Sequence, residues 1–129
     1  MSDASLRAQI DSDKAKREKY KRVRSSIQSH GLDSDIDVSH HQYYIELCDK
    51  ALAKINGNEG YHYLSNLKTK LESDKKTIKE YLDFVKDANS SFKDLYVTLG
   101  QKISALDSAI SSNRAAYNKG KPFWEQLWW

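Results

Sequence analysis

The strongest pattern in the chain is a seven-residue repeat in its second half. Leu64, Leu71, Ile78, Val85, Phe92, Leu99 and Leu106 follow one another at intervals of seven without a gap. Their companions three residues on, Leu67, Asp74, Tyr81, Ala88, Leu95, Lys102 and Ala109, are apolar in five of seven cases. Alternating steps of three and four predict a helix of coiled-coil type, because that spacing keeps the side chains on one seam of a 3.6-residue helix. A further row, Leu82, Tyr96, Ile103, Ile110 and Tyr117, flanks the seam and is interrupted only at Asn89. The seam therefore widens towards the C-terminus, as more than one packing neighbour requires. The long helix is expected over 61–118. Its weakest points are Asn89-Ser90-Ser91 and Gly100, since these residue types are poor helix formers.

A shorter helix is expected ahead of it, over 39–56. Ser39-x-x-Gln42 has the form of a capping box, and His41, Ile45, Cys48, Leu52 and Ile55 then fall on one face. Gly57 suits the left-handed position after a helix, Asn58 suits the next N-cap, and the turn 57–60 folds the two helices into an antiparallel hairpin. A basic helix over 2–30 is capped by Ser2 or Asp3 and stopped by Gly31. Its apolar positions, Leu6, Ile10, Tyr20, Val23 and Ile27, are sparse and interrupted by Asp13 and Arg17, so this helix needs tertiary support. An acidic linker, 31–38, joins it to the hairpin. Gly120-Lys121-Pro122 stops the long helix, and residues 119–129 form an aromatic tail. The expected fold is all-α: an antiparallel helical hairpin with a long coiled-coil-like second arm plus an N-terminal helix, in one helical domain over 1–129.

Composition adds a reason to look for company. Across 129 residues, 39% are hydrophobic and 30% charged, with 1 Pro and 5 Gly. So few breakers exclude a turn-rich sandwich, and so thin an apolar fraction describes helices with wide solvated faces. Such a chain buries little core alone, which predicts a helical protein partner or a homodimer. Net charge is only +3, too mild to indicate nucleic acid by itself. The single cysteine, Cys48, excludes an internal disulfide. No apolar run is long enough for a transmembrane segment. Residues 1–10 lack the charged-then-apolar order of a secretory leader, so the expected location is cytoplasmic, with export only by a route that needs no cleaved signal.

Candidate chemistry is sparse. His41 and Cys48 lie seven apart on one helical face, the geometry of a thiolate–imidazole pair, but both also fit an apolar stripe, where free cysteine is commonly buried. His40 and His41 point about 100° apart on a helix and cannot share an ion. Asp37 and His41 could supply two metal ligands, without a third nearby. Asp33-x-Asp35-x-Asp37 imitates the opening of a calcium loop, yet Val38 stands where glycine is needed and Tyr44 where a bidentate glutamate is needed. No catalytic, metal or cofactor-binding residue is assigned, and the chain is read as non-enzymatic.

Two segments remain as binding candidates. Lys14, Lys16, Arg17, Lys19, Lys21, Arg22 and Arg24 place 7 basic residues within 11, a density suited to phosphates of nucleic acid or of an anionic surface. The plainer reading is a solvated helix, since Tyr20 alone among these residues offers a stacking surface. In the tail, Phe123, Trp124, Trp128 and Trp129 hold all three tryptophans of the protein. They either fold back as core, fill a partner's groove as anchors, or sit at a membrane interface.

A short helix, a glycine-bearing turn at Ile55-Asn56-Gly57 and a long heptad-bearing arm resemble the layout of type VII secretion helical-hairpin families. The similarity is greatest to the small helical partners of LXG toxins in Gram-positive bacteria, and it covers residues 1–117. The resemblance implies binding to the toxin's own helical LXG domain, with or without a second small helical protein, and a role in targeting it for export. Two features depart from the family pattern. The turn lacks Trp-x-Gly, and the export pattern of an aromatic followed four residues later by an acid is absent, Tyr117 being followed by Lys121 and Phe84 by Ala88. The expectation is a chaperone-like accessory whose partner-binding seam is Leu64, Leu67, Leu71, Ile78, Val85, Phe92, Leu99 and Leu106. The alternative is binding of nucleic acid or an anionic surface through residues 14–24.

Overall fold

A computed structural model describes residues 2–57 and 59–128, including every side chain among them except Glu59, Tyr61 and His62. The fold is all-α, with α1 (Asp3–Ser29), α2 (Ser39–Asn56) and α3 (Ser65–Asn118) and no strand among the described residues. Two short 3-10 helices, Glu59–Leu64 and Phe123–Glu125, complete it. The chain forms two compact units, Met1–Asp33 with Phe92–Trp129, and Ser34–Ser91. The single helix α3 serves both, and the boundary falls just after Asn89-Ser90-Ser91. Helical structure runs through these residues and through Gly100 without a break.

In the first unit α1 packs against the second part of α3. The Ser2 hydroxyl caps α1 by accepting from the Ser5 N–H at 3.1 Å. Gly31, at φ 69°, closes the helix. There the Leu32 N–H donates to the Ile27 carbonyl and the Gly31 N–H to that of Gln28, both at 3.0 Å, the paired bonds of a Schellman ending. Going back along α1, its partners advance along α3: Arg24 meets Tyr96, Arg17 meets Asp107, and Ile10 meets Ile110. The two helices are therefore antiparallel. Leu6, Ile10 and Ile27 of α1 are buried, as are Leu99 and Ile110 of α3, each contributing about 1.5–3 kcal/mol through removal of apolar surface from water. The sparse apolar row of α1 thus finds the support it needs. Asp13, which breaks that row in sequence, is itself buried and accepts a hydrogen bond from the Gln9 side chain at 2.8 Å.

In the second unit α2, the 3-10 turn and the first part of α3 form an antiparallel hairpin. Lys75 pairs with Asp49, and the His41 and Tyr81 rings lie 5.7 Å apart. Three local expectations are corrected here. The capping box does not form: α2 is entered through Val38 without a side-chain cap, and Asp37 accepts from the Ser39 N–H at 2.9 Å instead. An aspartate two residues back reaches that N–H in an Asx turn, which leaves Ser39 inside the helix. Gly57 is right-handed, at φ −84°, because its N–H simply continues the helical ladder to Ala53. The long helix starts at Ser65, since Glu59–Leu64 takes the tighter 3-10 form. The N-cap expectation at Asn58 lies outside the described residues.

Candidate interaction surfaces

The predicted seam divides by environment. Leu99 is buried, while Leu64, Leu71, Ile78, Val85 and Leu106 are half-buried and Leu67 and Phe92 are exposed. The flanking row supplies two further buried positions of α3, Leu82 and Ile110, and Asn89 is buried within it. Asn89 is a tether. Its amide donates to the Ser34 carbonyl at 2.8 Å and its carbonyl oxygen accepts from the Ile36 N–H at 3.1 Å, fastening the linker to α3.

The tail folds back, though by another residue than the aromatics. Leu127 is 6% exposed and packs with Ile10, Ile110 and Tyr117. Asn118, the last residue of α3, grips it twice: the side-chain amide donates to the Leu127 carbonyl at 2.9 Å and the side-chain oxygen accepts from its N–H at 2.8 Å. Lys121 adds a tie, donating to Asp3 at 2.7 Å and to the Tyr117 carbonyl at 2.6 Å, with its ammonium over the Tyr117 ring. Phe123, Trp124 and Trp128 point outward, Trp124 at 81% exposure, and the Phe123 and Trp128 rings lie 5.5 Å apart. Trp129 lies outside the described residues.

The basic cluster is partly committed within the first unit. Arg17 reaches Asp107 at 2.9 Å. Arg24 donates to the Tyr96 carbonyl at 3.2 Å and lays its guanidinium 3.8 Å above the Tyr96 ring. Gly100 leaves room for it, since a Cβ there would stand 3.2 Å from the Arg24 Nε. Lys16, Lys19, Lys21 and Arg22 are exposed, and Lys14 is half-buried.

The titratable candidates separate. Cys48 is buried, with Tyr44 beside it, whereas the His41 ring leans on Tyr81. Asp37, fully exposed, is held below the ordinary carboxyl range by the Ser39 N–H and hydroxyl. The Tyr44 hydroxyl is pushed up, first by the Cys48 sulfur, then by loss of solvent and by Asp74 across on α3. No cluster of three metal-ligating side chains occurs among the described residues, and no helix there is long and apolar enough to cross a membrane.

Leu67 of the predicted seam and six residues outside it form a more open surface. In the second unit Tyr43, Tyr44 and Leu47 of α2, Tyr63, and Leu67, Tyr81 and Phe84 of α3 are all exposed. At 100° per residue, Tyr81 and Asp83 flank the buried Leu82 on opposite sides. The Asp83 side is charged, where Leu52 meets Glu72, Lys75, Lys76 and Lys79. On the Tyr81 side lie Leu67 and Tyr81 of α3, and from there the Asp74 charge acts on the Tyr44 hydroxyl. A period-of-seven count from Leu82, rather than from Leu64, is the sequence signal that separates these two flanks. In comparisons with known proteins, no family model, no curated protein and no solved structure matches this chain.

Proposed function

We propose that this protein is a non-enzymatic interaction protein that binds a helical client. The observation that supports it is the second unit's exposed apolar set: seven large tyrosine, leucine and phenylalanine side chains stand out from a hairpin whose buried hydrophobic residues are Cys48, Leu52 and Leu82. A solvated hairpin gains nothing from such exposure, and burial of contiguous apolar surface is what drives association. The layout of short helix, glycine turn and long heptad arm directs the proposal to the LXG domain of a type VII-exported toxin as client, with this chain as its targeting chaperone.

The test is recovery of the tagged full-length protein from its native cells after a high-salt wash, read by mass spectrometry. The expected result is a long helical toxin-like protein, retained because apolar packing survives salt, and lost with Val85→Asp plus Phe92→Asp. Recovery of the chain alone, at dimer mass in solution, would replace the client with a second copy. A steep loss of bound material with salt would favour phosphate contacts through Lys14–Arg24 instead.

A further inference from the structure

Within the first unit the basic cluster of α1 divides. Lys21, Arg24, Ser25 and Gln28 stand at i, i+3, i+4 and i+7, so they share one face of the helix. With Ile103 of α3 they line a cleft of about 230 Å³, and no acid is among these lining residues. Pockets that enclose drug-sized molecules run to roughly 300–1,000 Å³, so this cleft suits a smaller ligand.

The donors around it are those of an anion site. Arg24 is held in place: its Nε donates to the Tyr96 carbonyl at 3.2 Å, and its guanidinium carbon lies 3.8 Å from the centre of the Tyr96 ring. Gly100 clears the space beside it, since a Cβ there would stand 3.3 Å from the terminal Nη2. The bond to Tyr96 engages one of five N–H donors, and the terminal nitrogens keep the forked geometry that suits phosphate. The Lys21 ammonium, the Ser25 hydroxyl and the Gln28 amide complete the donor set, and all three residues are exposed. Glu18 lies 4.0 Å from the Lys21 Nζ and 3.6 Å from the Arg17 Nε. With the Lys21 and Glu18 side chains 49% and 58% exposed, that pairing is screened by water and weak. The remaining cations do not extend the cleft into a track. Arg17 is paired with Asp107 at 2.9 Å, and Lys19 stands about 160° round the helix from Lys21. Two convergent charges with an apolar wall at Ile103 fit one dianion on a small organic group, whereas a run of phosphodiesters needs a line of free cations.

We infer that this cleft binds a phosphomonoester. Lys21 and Arg24 take its dianionic oxygens, Ser25 and Gln28 add hydrogen bonds, and its organic part lies against Ile103. The site belongs to the first unit and is independent of the client reading, which rests on the second.

The test titrates isotope-labelled full-length protein with phenyl phosphate, inorganic phosphate or oligothymidylate at neutral pH and constant ionic strength, read by amide chemical shifts. Phenyl phosphate is expected to give saturable shifts at the Ser25 backbone amide and the Gln28 side-chain amide. It should bind several-fold tighter than inorganic phosphate, because its ring meets Ile103. Lys21→Ala should weaken it about tenfold, the scale of one charge-assisted hydrogen bond. Gln28→Glu should abolish saturation by placing a carboxylate in the cleft, and Glu18→Gln should tighten binding about twofold. Lys19→Ala removes the same charge from another face and should change nothing. All four positions are exposed, and circular dichroism confirms that the helices persist. Absence of saturable shifts, inorganic phosphate binding as tightly as phenyl phosphate, or equal losses in Lys19→Ala and Lys21→Ala would overturn the inference. Tightest binding of oligothymidylate would also overturn it, by making the cluster a track for polyanions.

Discussion

The two units solve the same packing problem to different degrees. In the first, α1 and the second part of α3 bury Leu6, Ile10, Ile27, Leu99 and Ile110, the tail contributes Leu127, and the charged side chains Arg17, Arg24 and Lys121 are tied across elements. In the second, the buried hydrophobic residues are Cys48, Leu52 and Leu82; both units leave large apolar side chains in solvent, among them Phe123, Trp124 and Trp128 in the first and Tyr63, Tyr81 and Phe84 in the second, so the contrast lies in the depth of the core. Both use the same helix and both draw on heptad-spaced rows. The difference lies in what is opposite. α1 and the tail supply two apolar layers against α3, whereas α2 supplies one, and a helix with an apolar stripe wider than its neighbour can cover keeps an uncovered flank.

The contrast can be broken most sharply at the cores. Ile10→Ala, at a side chain only 1% exposed, should cost roughly 2–5 kcal/mol, read by denaturant unfolding of the full chain. Phe84→Ala, at 70% exposure, should stay within about 0.5 kcal/mol. Comparable losses at both would mean that the aromatic flank is structural. The tail gives the next largest effect. Leu127→Ala should lower stability by about 2 kcal/mol or more, because a buried leucine leaves a gap between Ile10 and Ile110, while Trp124→Ala should leave the melting temperature unchanged. Reversal of that order would assign the tail's packing to the aromatics.

Asn89→Ala should cost about 1 kcal/mol for each of the two hydrogen bonds to the linker backbone that it removes. Hydrogen exchange should report faster exchange of the Ile36 amide with α2 unchanged. The smallest effect concerns pH. Asp37 titrates below its ordinary value of 3.8 because the Ser39 N–H and hydroxyl favour the charged form. Its folded pKa is the lower one, so the Asx-turn contact is at full strength above the unfolded value and weakens as pH falls through the folded one. A falling protection factor of the Ser39 amide on acidification, absent in Asp37→Ala, is the expected sign. Equal pH response in both would remove Asp37 from the turn that leads into α2.

Much of the architecture is legible in the residue pattern. The heptads of α3, the stops at Gly31 and Gly120 and the Ser2 cap each follow from one local rule. The choice of face was harder to read. A row starting at Leu64 and a row through Leu82 satisfy the same spacing, and only the partner helix decides which turns inward. Polar residues inside apolar rows are hard to place for the same reason. Asn89 and Asp13 look like interruptions, yet each is buried because a specific neighbour, the linker backbone or Gln9, satisfies it. In the tail the tryptophans draw the eye, but the Asn118 side chain selects Leu127 through two backbone hydrogen bonds that leave no trace in hydropathy. The Asx turn at Asp37 displaced a capping box that fits the sequence equally well.

The central claim is that a helical partner lies on the exposed apolar surface of the hairpin, which includes Tyr81 and not Asp83. The most direct measurement places a photo-crosslinking benzoylphenylalanine at position 81 or at position 83 of the full chain in its native cells. These positions sit about 100° to either side of the buried Leu82. The account expects a crosslink from position 81 to an amphipathic helix of another protein, located by peptide sequencing, and none from position 83. Equal crosslinking from both positions, or crosslinking from position 83 alone, would contradict it.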